Sequence, residues 1–424
     1  TLIVLLPSPK PVKNPFVKYA LKIGRQVENE ATIFYKLCPK PIVAITGTRG
    51  KTTTTNWAGH FLNPVRGLAR TEGASPKDLG EATSNGVNAE YKAVVSGNSY
   101  VEPMLKTLDR AGRFDYVANE IPSYHLEYFD RTIPPPVIAV VTNLYQDHLN
   151  RHGDMKGYAL AKAAIFRNQA ANQHLILNHD NKWTRFFLAQ RPSAKVWFFS
   201  VKAIPQKTSG IFYRKGWVYF QDGKGPTPVL NISDFEKQWG GHNLQNLLAS
   251  SLAANLAGVP WEKIQQKIKT LPQVPFRQEV IFENAKLKII NDTSATSPDG
   301  GIAAVNRFGG PATVLIAGGT DRELDYKEWG TVIRRRIKNP NLILLAGSAT
   351  DKMLKSLGSY AKKVQVFNTL AECVQAAFGR AGQFNQSVIL LSPAAKSFEK
   401  FKNEFDRGRQ FNKLITKLIK RRKR

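Results

Sequence analysis

Short apolar runs alternate with longer segments of helical spacing along most of the chain. Between residues 41 and 272, the runs that indicate strands are Ile42–Thr46, Ala93–Ser96, Tyr116–Ile121, Val137–Asn143, His174–Asn178 and Val196–Ser200. Continuous apolar runs of this length predict a mostly parallel sheet that is covered on both faces. Residues 201–232 differ, because aromatic and β-branched residues around Gly210 and Gly216 predict antiparallel hairpins.

A second alternating series begins near Gln273. Its predicted strands are Glu279–Glu283, Lys286–Asn291, Thr313–Ala317, Leu342–Ala346, Val364–Phe367 and Ser387–Leu391. Several of them end in turns of glycine and other small residues. Ligands of open parallel sheets bind outside the carboxyl ends of the strands, so we expect these turns to face a binding crevice.

One segment has the pattern of a phosphate-binding loop, Gly47-Thr48-Arg49-Gly50-Lys51-Thr52. An apolar strand precedes it and a segment of helical spacing follows it, which is the context that such a loop requires. Glycines let backbone N–H groups close on an anion, the lysine reaches the β- and γ-phosphates, and the threonine hydroxyl binds a metal ion. Ile45 stands where the longer form of the loop has its first glycine. The segment therefore predicts an ATP site built on the shorter form of the phosphate-binding loop.

These patterns predict an α/β protein with three segments. Residues 1–40 are too few to bury a core of their own. Residues 41–272 are expected to form a parallel-sheet central domain of the phosphate-loop ATPase type. Residues 273–424 are expected to form a Rossmann-like α/β C-terminal domain that ends in a basic tail.

Composition limits the class of protein. The 424 residues include 42% hydrophobic and 22% charged residues, which is typical of a globular protein. The two cysteines, Cys38 and Cys373, exclude a disulfide framework and favour a reducing cytoplasm. We find neither a membrane-spanning apolar run nor a signal peptide. The chain begins at Thr1, inside an apolar run, so we expect upstream sequence to be missing.

The formal net charge of +29 allows two interpretations. One is nucleic-acid binding, and the other is a generally basic composition combined with polyanionic substrates. The second is favoured, because the basic residues are scattered along the chain. The exception is residues 413–424, whose apolar positions have helical spacing and predict an amphipathic terminal helix. We therefore expect no nucleic-acid partner.

Three further residues are candidates for chemistry. Glu120 follows a predicted strand and would suit Mg²⁺, although an isolated glutamate there is more often a helix cap or a solvated carboxylate. His148 follows the next strand, although a lone histidine is usually structural. Lys162 lies in a helical stretch of small and apolar residues, where a surface salt bridge would be ordinary. A buried Lys162 would instead have a lowered pKa and could be carbamylated to a metal-binding anion.

Several motifs together resemble the Mur ligase family. They are the loop at Gly47–Thr53, Asn119-Glu120, Asp147-His148 with Arg151-His152, Ala161-Lys162, Gly241-His242-Asn243 with Asn246, and Asn291-Asp292-Thr293. The closing segment, residues 391–411, is similar to the signature of the D-glutamate-adding members. The resemblance runs from residue 1 to about residue 420, and it identifies residues 1–40 as the remnant of an N-terminal UDP-binding domain.

The resemblance implies a role for each matching position. ATP would be held by Gly47, Thr48, Gly50, Lys51, Thr52, Thr53, Asn243, Asn246, Arg277 and Asp292. The metal would be held by Thr52, Glu120 and His148, and the catalytic residues would be Lys51, His148 and Lys162. The substrates would contact Asn98, Thr296, Arg322, Ser397 and Phe398. The family also implies Mg²⁺ and carbamylation of Lys162.

The implied activity is an ATP-dependent ligase of peptidoglycan biosynthesis. It would join D-glutamate to UDP-N-acetylmuramoyl-L-alanine through an acyl phosphate, as a cytoplasmic monomer. The alternatives are another Mur-type ligase, folylpolyglutamate synthase, a non-catalytic ATP-binding scaffold and, from the charge, a nucleic-acid-dependent ATPase. Because the two reactants would bind to different domains, the domains are expected to close on each other during the reaction. Residues 273–276 are expected to act as the hinge.

Three positions depart from the family pattern. Ser294 replaces a lysine, Arg322 replaces a second lysine, and Phe276 stands where a histidine is common. Arginine can still bind a carboxylate through its forked geometry. These departures concern the amino-acid pocket more than the ATP site.

Overall fold

The chain divides into two compact units, Thr1–Pro272 and Gln273–Arg424. The computed structural model describes residues 3–5, 14–63, 92–97 and 103–422. Each unit contains a mainly parallel sheet with helices on both faces, which confirms the predicted α/β class. The three-segment division stays a prediction, because these two units do not address whether residues 1–40 form a domain of their own.

The first unit has a nine-stranded sheet and a separate parallel pair. The pair is β1 (Ile3–Leu5) with β2 (Val27–Asn29). The other strands are β3 (Ile42–Thr46), β4 (Ala93–Gly97), β5 (Tyr116–Glu120), β6 (Ile138–Val141), β7 (His174–Asn178), β8 (Lys195–Ser200), β9 (Gly210–Arg214), β10 (Trp217–Gln221) and β11 (Thr227–Asn231). Their order is β11-β10-β9-β8-β7-β6-β3-β5-β4. β3 therefore lies between β5 and β6, so the turns after these three strands meet at one edge of the sheet.

The helices of the first unit cover both faces of this sheet. They are α1 (Pro15–Lys22), α2 (Glu30–Leu37), α3 (Lys51–Leu62), α4 (Met104–Ala111), α5 (Ser123–Leu126), α6 (Leu149–His152), α7 (Met155–Ala163), α8 (Thr184–Ala189), α9 (Phe235–Trp239), α10 (Leu244–Leu256) and α11 (Trp261–Ile268). Alternate residues of β3 enter two different cores. Val43 and Ile45 pack with α3 and α10, and Ile42 and Ala44 pack with α2 and α7. This double burial explains why the strand is apolar without alternation.

The second unit contains a six-stranded sheet in the order β12-β13-β17-β14-β15-β16. The strands are β12 (Glu279–Glu283), β13 (Leu287–Asn291), β14 (Thr313–Gly318), β15 (Leu342–Leu345), β16 (Gln365–Phe367) and β17 (Ser387–Leu391). The helices are α12 (Pro298–Phe308), α13 (Lys327–Arg336), α14 (Thr350–Leu357), α15 (Leu370–Ala381) and α16 (Glu404–Arg422). Only β12 among these strands runs antiparallel to its neighbour. The carboxyl ends of β13, β17 and β14 are consequently adjacent.

The sequence-based bounds differ from the structure mainly at strand ends. The strand expected to reach Asn143 ends at Val141. Thr142 N still donates to Thr46 O at 2.9 Å, and the side chains of Thr142 and Asn143 bind the backbone of the Gly47–Gly50 loop. Before residue 41 the chain forms β2 and α2, which the sequence patterns did not predict, and Asn29 and Thr32 cap α2 reciprocally. The hairpins expected over residues 201–232 are antiparallel within β9–β11, but β9 pairs parallel to β8.

The helices of the described ranges are either shorter than a bilayer is thick or too polar to lie inside one. None of them combines the length and the apolar character that crossing a membrane would require.

Candidate functional site

The Gly47–Gly50 loop connects β3 to α3 and depends on its two glycines. Gly47 and Gly50 have positive φ angles of 148° and 80°. A Cβ atom on Gly47 would lie 1.9 Å from Thr142 Oγ1, and one on Gly50 would lie 2.1 Å from Asn246 Oδ1. Both distances are too short for real atoms, so a side chain at either position would displace the loop. Glycine is therefore required here for space and for backbone conformation.

The turn after β6 holds this loop in place. Thr48 N donates to Asn143 O over 3.0 Å, and Arg49 N donates to Asn143 Oδ1 over 2.8 Å. Thr142 Oγ1 donates to Arg49 O over 2.7 Å. The next residues begin α3, and the first turn of a helix directs N–H groups that lack intrahelical partners toward its N-terminus. The segment has the geometry of an anion-binding site.

Two lysines lie at the loop. Lys51 Nζ donates to Thr48 O over 3.1 Å, and Lys162 Nζ donates to Gly47 O over 2.8 Å. The Lys162 side chain is fully buried in the core, with its Nζ 4.7 Å from the centre of the Tyr158 ring. Burial and then the charge of Lys51 lower the pKa of Lys162 well below its usual value, against the charges of Asp147 and Glu120. Lys162 is thus a buried amine that is hydrogen-bonded to the loop. Burial with a lowered pKa is the condition under which carbamylation was predicted.

Glu120 is the last residue of β5, directly beside the loop strand. It pairs with Ile45 of β3, one residue before Thr46. The side chain is buried, and within the described residues its Oε2 atom has no hydrogen-bond partner. Gly97 of β4 makes room for it, because a Cβ there would lie 2.5 Å from Glu120 O. A buried carboxylate oxygen without a partner is rare and fits a cation ligand.

His148 has a less enclosed position than Glu120. It adopts a left-handed backbone conformation with φ of 54° at the start of α6, and its side chain is 48% exposed. Its Nε2 lies 3.8 Å from Asp147 Oδ2, and its ring lies 6.1 Å from that of Tyr158. The described part of the chain contains no group of three or more histidine, cysteine, aspartate or glutamate side chains arranged around a metal. Mg²⁺ retains several waters and needs only one or two carboxylates, so Thr52, Glu120 and His148 remain suitable predicted ligands.

A hydrogen-bonded network that the sequence analysis missed joins α5, α6 and α7. The Glu127 carboxylate accepts from Arg151 Nε at 2.9 Å and Nη2 at 2.7 Å, and it pairs with His152 Nδ1 at 3.1 Å. Burial acts to raise the pKa of Glu127, but hydrogen bonds from His152 and Arg151 hold it below its usual value. His152 also contacts Ser123 Oγ at 3.0 Å and stacks on Tyr158, whose hydroxyl lies 3.3 Å from Thr48 Oγ1. The network therefore positions the segment that carries His148 against the loop.

Buried polar atoms without partners accumulate on β5, on α5 and in the turn after α5. Within the described residues they include Asn119 Nδ2, Glu120 Oε2, Tyr128 Oη and both ring nitrogens of His125. Burial and then the charge of Arg151 lower the pKa of His125 to about 4, so its ring is neutral at pH 7. Such groups normally have a protein, water or ligand partner. No local sequence pattern signals them, because their burial depends on the packing of α2 and α5.

The two asparagines predicted on the adenine side connect α10 to α3. Asn246 Nδ2 donates to Asn243 Oδ1 at 2.9 Å, and Thr54 Oγ1 donates to Asn246 Oδ1 at 3.3 Å. Asn243 Nδ2 donates to Trp239 O at 2.8 Å. Asn246 therefore contacts both the glycine turn and α3, and a role in adenine binding stays a prediction.

In the second unit, Asp292 follows β13 and is fully buried. Its Oδ2 accepts from Ser392 Oγ at 2.7 Å, and its Oδ1 accepts from Gln278 N at 3.1 Å. Burial raises its pKa to about 7, against these hydrogen bonds and the charges of Arg277 and Arg307. Arg277 and Asp292 are thus close enough to interact. Their contact with ATP stays a prediction.

The turns after β13, β17 and β14 meet around the buried side chain of Arg407. Its guanidinium donates to Thr293 Oγ1 at 3.0 Å, Thr293 O at 3.0 Å, Ala395 O at 3.2 Å and Lys396 O at 3.2 Å. A Cβ on Gly319 would lie 3.2 Å from Arg407 Nη1. Arg407 was not among the predicted functional residues. Its four acceptors are uncharged, and its hydrogen bonds fix the turns after β13 and β17 relative to each other.

The predicted amino-acid-binding residues lie in these same turns. Thr296 is half-buried, Ser397 is buried, Phe398 is 58% exposed, and Arg322 N donates to Asp321 Oδ1 at 2.8 Å. In the part of the chain that is described, the buried hydroxyl oxygens of Ser294, Ser297 and Ser397 lack partners. Such groups are suited to a polar ligand. Asn98, the predicted muramoyl contact, lies outside the described residues.

Comparisons with known proteins address the family and the fold of the chain. Residues 45–254 match the Mur ligase middle domain. A protein of Roseiflexus sp. (strain RS-1) named UDP-N-acetylmuramoylalanine–D-glutamate ligase is 32% identical over 412 residues, which cover 96% of this chain and 82% of that relative. A protein of the same name from Desulfitobacterium hafniense (strain DCB-2) is 32% identical over 416 residues, covering 98% of this chain and 83% of the relative.

The chain belongs to the Mur ligase family. The resemblance predicted from the sequence motifs is thereby confirmed. Among solved structures, the MurF ligase of Thermotoga maritima in complex with ADP has a TM-score of 0.62 at 16% identity, covering 99% of this chain and 95% of that chain. At this identity the likeness concerns the fold alone.

Proposed function

We propose that this chain is an ATP-dependent ligase that adds D-glutamate to UDP-N-acetylmuramoyl-L-alanine. The observation that carries the proposal is the loop at Gly47–Thr52, with buried Lys162 hydrogen-bonded to it and Glu120 on the adjacent strand. The relatives named for this activity align over nearly the whole chain, which supports the choice among Mur-type reactions. ATP is accordingly proposed as the phosphoryl donor.

The loop and the start of α3 are proposed to hold the ATP phosphates. Backbone N–H groups at the helix N-terminus and the Lys51 ammonium would neutralise the phosphate charge, and the hydroxyls of Thr52 and Thr53 lie on the first turn. Asn243 and Asn246 are proposed to line the adenine side, and Arg277 and Asp292 are proposed as further ATP contacts in the second unit. The phosphates of ATP would offer the Lys51 ammonium a strong, charged acceptor.

Mg²⁺ fits the oxygen donors Thr52 and Glu120 beside the loop, and His148 would add a ring nitrogen. We propose Thr52, Glu120 and His148 as the residues that hold it, on the ground that Glu120 Oε2 is buried without a partner among the described residues. When bound, Mg²⁺ would neutralise negative charge that develops on the transferred phosphoryl group. The low pKa of Lys162 also favours the neutral amine, which is the form that reacts with CO₂ to give a carbamate anion.

The proposed reaction has two steps. A substrate carboxylate oxygen attacks the γ-phosphorus of ATP, its new P–O bond forms as the bond to ADP breaks, and an acyl phosphate results. The amine of D-glutamate then attacks the acyl carbon, loses a proton, and releases phosphate. No protein side chain forms a covalent bond in the first step. Lys51 acts by orienting the phosphates and by its charge.

The second unit is proposed to bind D-glutamate. Thr296, Ser397 and Phe398 lie in the turns that Arg407 holds, and Arg322 offers a forked guanidinium for a carboxylate. Within the described ranges, the buried hydroxyls of Ser294 and Ser397 lack partners, which supports a polar ligand there. Asn98 is proposed to contact the muramoyl substrate, and a monomer in the cytoplasm remains our expectation.

Phosphate release by the purified chain tests the proposal. The assay contains ATP, Mg²⁺, UDP-N-acetylmuramoyl-L-alanine and one amino acid at a time, with Lys51→Ala as the inactive control. We expect release with D-glutamate and none with L-alanine, diaminopimelate or L-glutamate. Release with another amino acid alone would identify a different Mur-type ligase, and no release with any of them would indicate a non-catalytic ATP-binding protein.

A further inference from the structure

The last helix, α16, has two faces of opposite character. Its apolar face is part of the core of the second unit. Phe411 and Ile415 are buried in that core, and Leu414, Leu418 and Ile419 pack against it partly exposed. The helix is therefore held to the domain through one face, and the other face points to solvent.

The solvent face of α16 is a stripe of cations, made by Arg409, Lys413, Lys417 and Lys420, all of which are exposed. At 100° and 1.5 Å per residue, these four positions fall within an arc of about 80° and a length of about 16 Å. The sequence from Arg407 to Arg424 contains nine lysines and arginines and no aspartate or glutamate. We call Arg409, Lys413, Lys417 and Lys420 the basic stripe.

The three lysines of the basic stripe lack the neutralisation seen at other surface lysines of this chain, whereas Arg409 interacts with the charge of Asp406 one turn earlier. Lys195 pairs with Asp222, Lys288 with Glu283, and Lys352 with Asp321. In the described ranges, Lys413, Lys417 and Lys420 have no ion pair. Their charges consequently add, and each lies within about a Debye length of the next at physiological salt.

We propose that the basic stripe binds the surface of an anionic phospholipid bilayer. Clusters of four to eight basic residues on an amphipathic helix attract such surfaces, and a straight row of charges suits a flat layer of headgroups. Exposed Gln410 and Thr416 border the stripe, and half-buried Leu414 and Ile419 lie just beyond them on the two sides, so aliphatic groups are near the lysine stems.

The same stripe is less suited to nucleic acid. Proteins that bind single strands stack bases on exposed aromatic side chains. On α16, Phe411 is fully buried and Phe405 is half-buried against Phe276. The exposed residues beside the stripe, Gln410 and Thr416, are not aromatic. This face therefore offers no exposed aromatic ring on which a base could stack, and binding to a lipid surface does not require one.

Vesicle cosedimentation of the 424-residue chain tests the proposal. Vesicles of phosphatidylglycerol mixed with phosphatidylcholine are compared with vesicles of phosphatidylcholine alone, and duplex and single-stranded oligonucleotides serve as competitors. The test variant is Lys413→Gln/Lys417→Gln/Lys420→Gln. Its matched control is Lys338→Gln/Lys362→Gln/Lys363→Gln, which removes the same charge from exposed positions of the same unit. Thermal unfolding of both variants checks that they fold.

The wild-type chain and the control should bind the anionic vesicles and release them at high salt. The stripe variant should bind about 100-fold more weakly, since three lysines near the surface each contribute about fivefold. Equal loss in both variants would overturn the proposal, because net charge alone would then explain binding. Binding to oligonucleotides that outcompetes the anionic vesicles, or equal binding to neutral vesicles, would also overturn it.

Discussion

The contact between Gly50 and Asn246 offers a sharp test of how the loop is held. Gly50→Ala would place a Cβ atom 2.1 Å from Asn246 Oδ1, whereas real Cβ contacts are rarely shorter than 3.0 Å. Asn246 or the loop must therefore move by about 1 Å. The backbone at Gly50, with φ of 80°, also disfavours alanine.

The loss of stability expected for Gly50→Ala follows from the backbone strain and the hydrogen bonds that the substitution disturbs. The left-handed backbone costs alanine about 1 kcal/mol. Moving Asn246 disturbs its hydrogen bonds with Thr54 and Asn243, each of which contributes about 1 kcal/mol. The free energy of unfolding should fall by about 3 kcal/mol, which lowers Tm by about 6–12 °C. Turnover should fall by about 100-fold, because a displacement of about 1 Å misaligns the phosphates.

Differential scanning fluorimetry and the phosphate-release assay measure the two effects. Gly112→Ala is the matched control, because Gly112 has an ordinary φ of −57° and a Cβ atom there would meet no described atom within 4 Å. An unchanged Tm and full turnover for Gly50→Ala, equal to those of Gly112→Ala, would refute the argument that α10 holds the loop in register.

Three further predictions concern single side chains. Lys51→Ala should reduce ATP turnover by at least about 100-fold with Tm unchanged, as measured by phosphate release and thermal unfolding. Lys162→Ala should be inactive and should not respond to bicarbonate, whereas the wild-type activity after CO₂ depletion should rise on adding bicarbonate. His125 has a pKa of about 4 in the folded chain against 6.5 ordinarily, so the unfolded state binds the extra proton and stability falls as pH drops from 6.5 to 4. His125→Gln should remove about 3 kcal/mol of this acid destabilisation, as measured by urea unfolding at pH 4 and pH 7.

Local patterns sufficed to predict the loop and its strand. β3 is buried on both faces, so its residues had to be apolar, and the glycines and Lys51 follow at fixed spacing. The other parallel strands of the two large sheets, apart from β9, were found for the same reason, with ends shifted by one or two residues. Strand ends depend on contacts with segments distant in sequence, as where the side chains of Thr142 and Asn143 bind the backbone of Arg49.

The networks around the site had no local signature. Glu127 meets Arg151 and His152 across 24 and 25 residues, because α5 and α6 follow strands on either side of β3. Arg407 meets Thr293 across 114 residues. The partner of a charged residue can be identified only once the order of the strands is known. The sequence predicted a reactive Lys162 only on the condition that it is buried, and the packing of α7 shows that it is.

The most direct measurement is the mass of the product formed by the purified chain. With ATP, Mg²⁺, UDP-N-acetylmuramoyl-L-alanine and D-glutamate, mass spectrometry should detect the nucleotide substrate joined to one glutamate with loss of water, together with ADP. The same mixture with L-glutamate, or without ATP, should leave the substrate mass unchanged. A substrate mass that stays unchanged with D-glutamate and ATP, under conditions in which the chain binds ATP, would contradict the account.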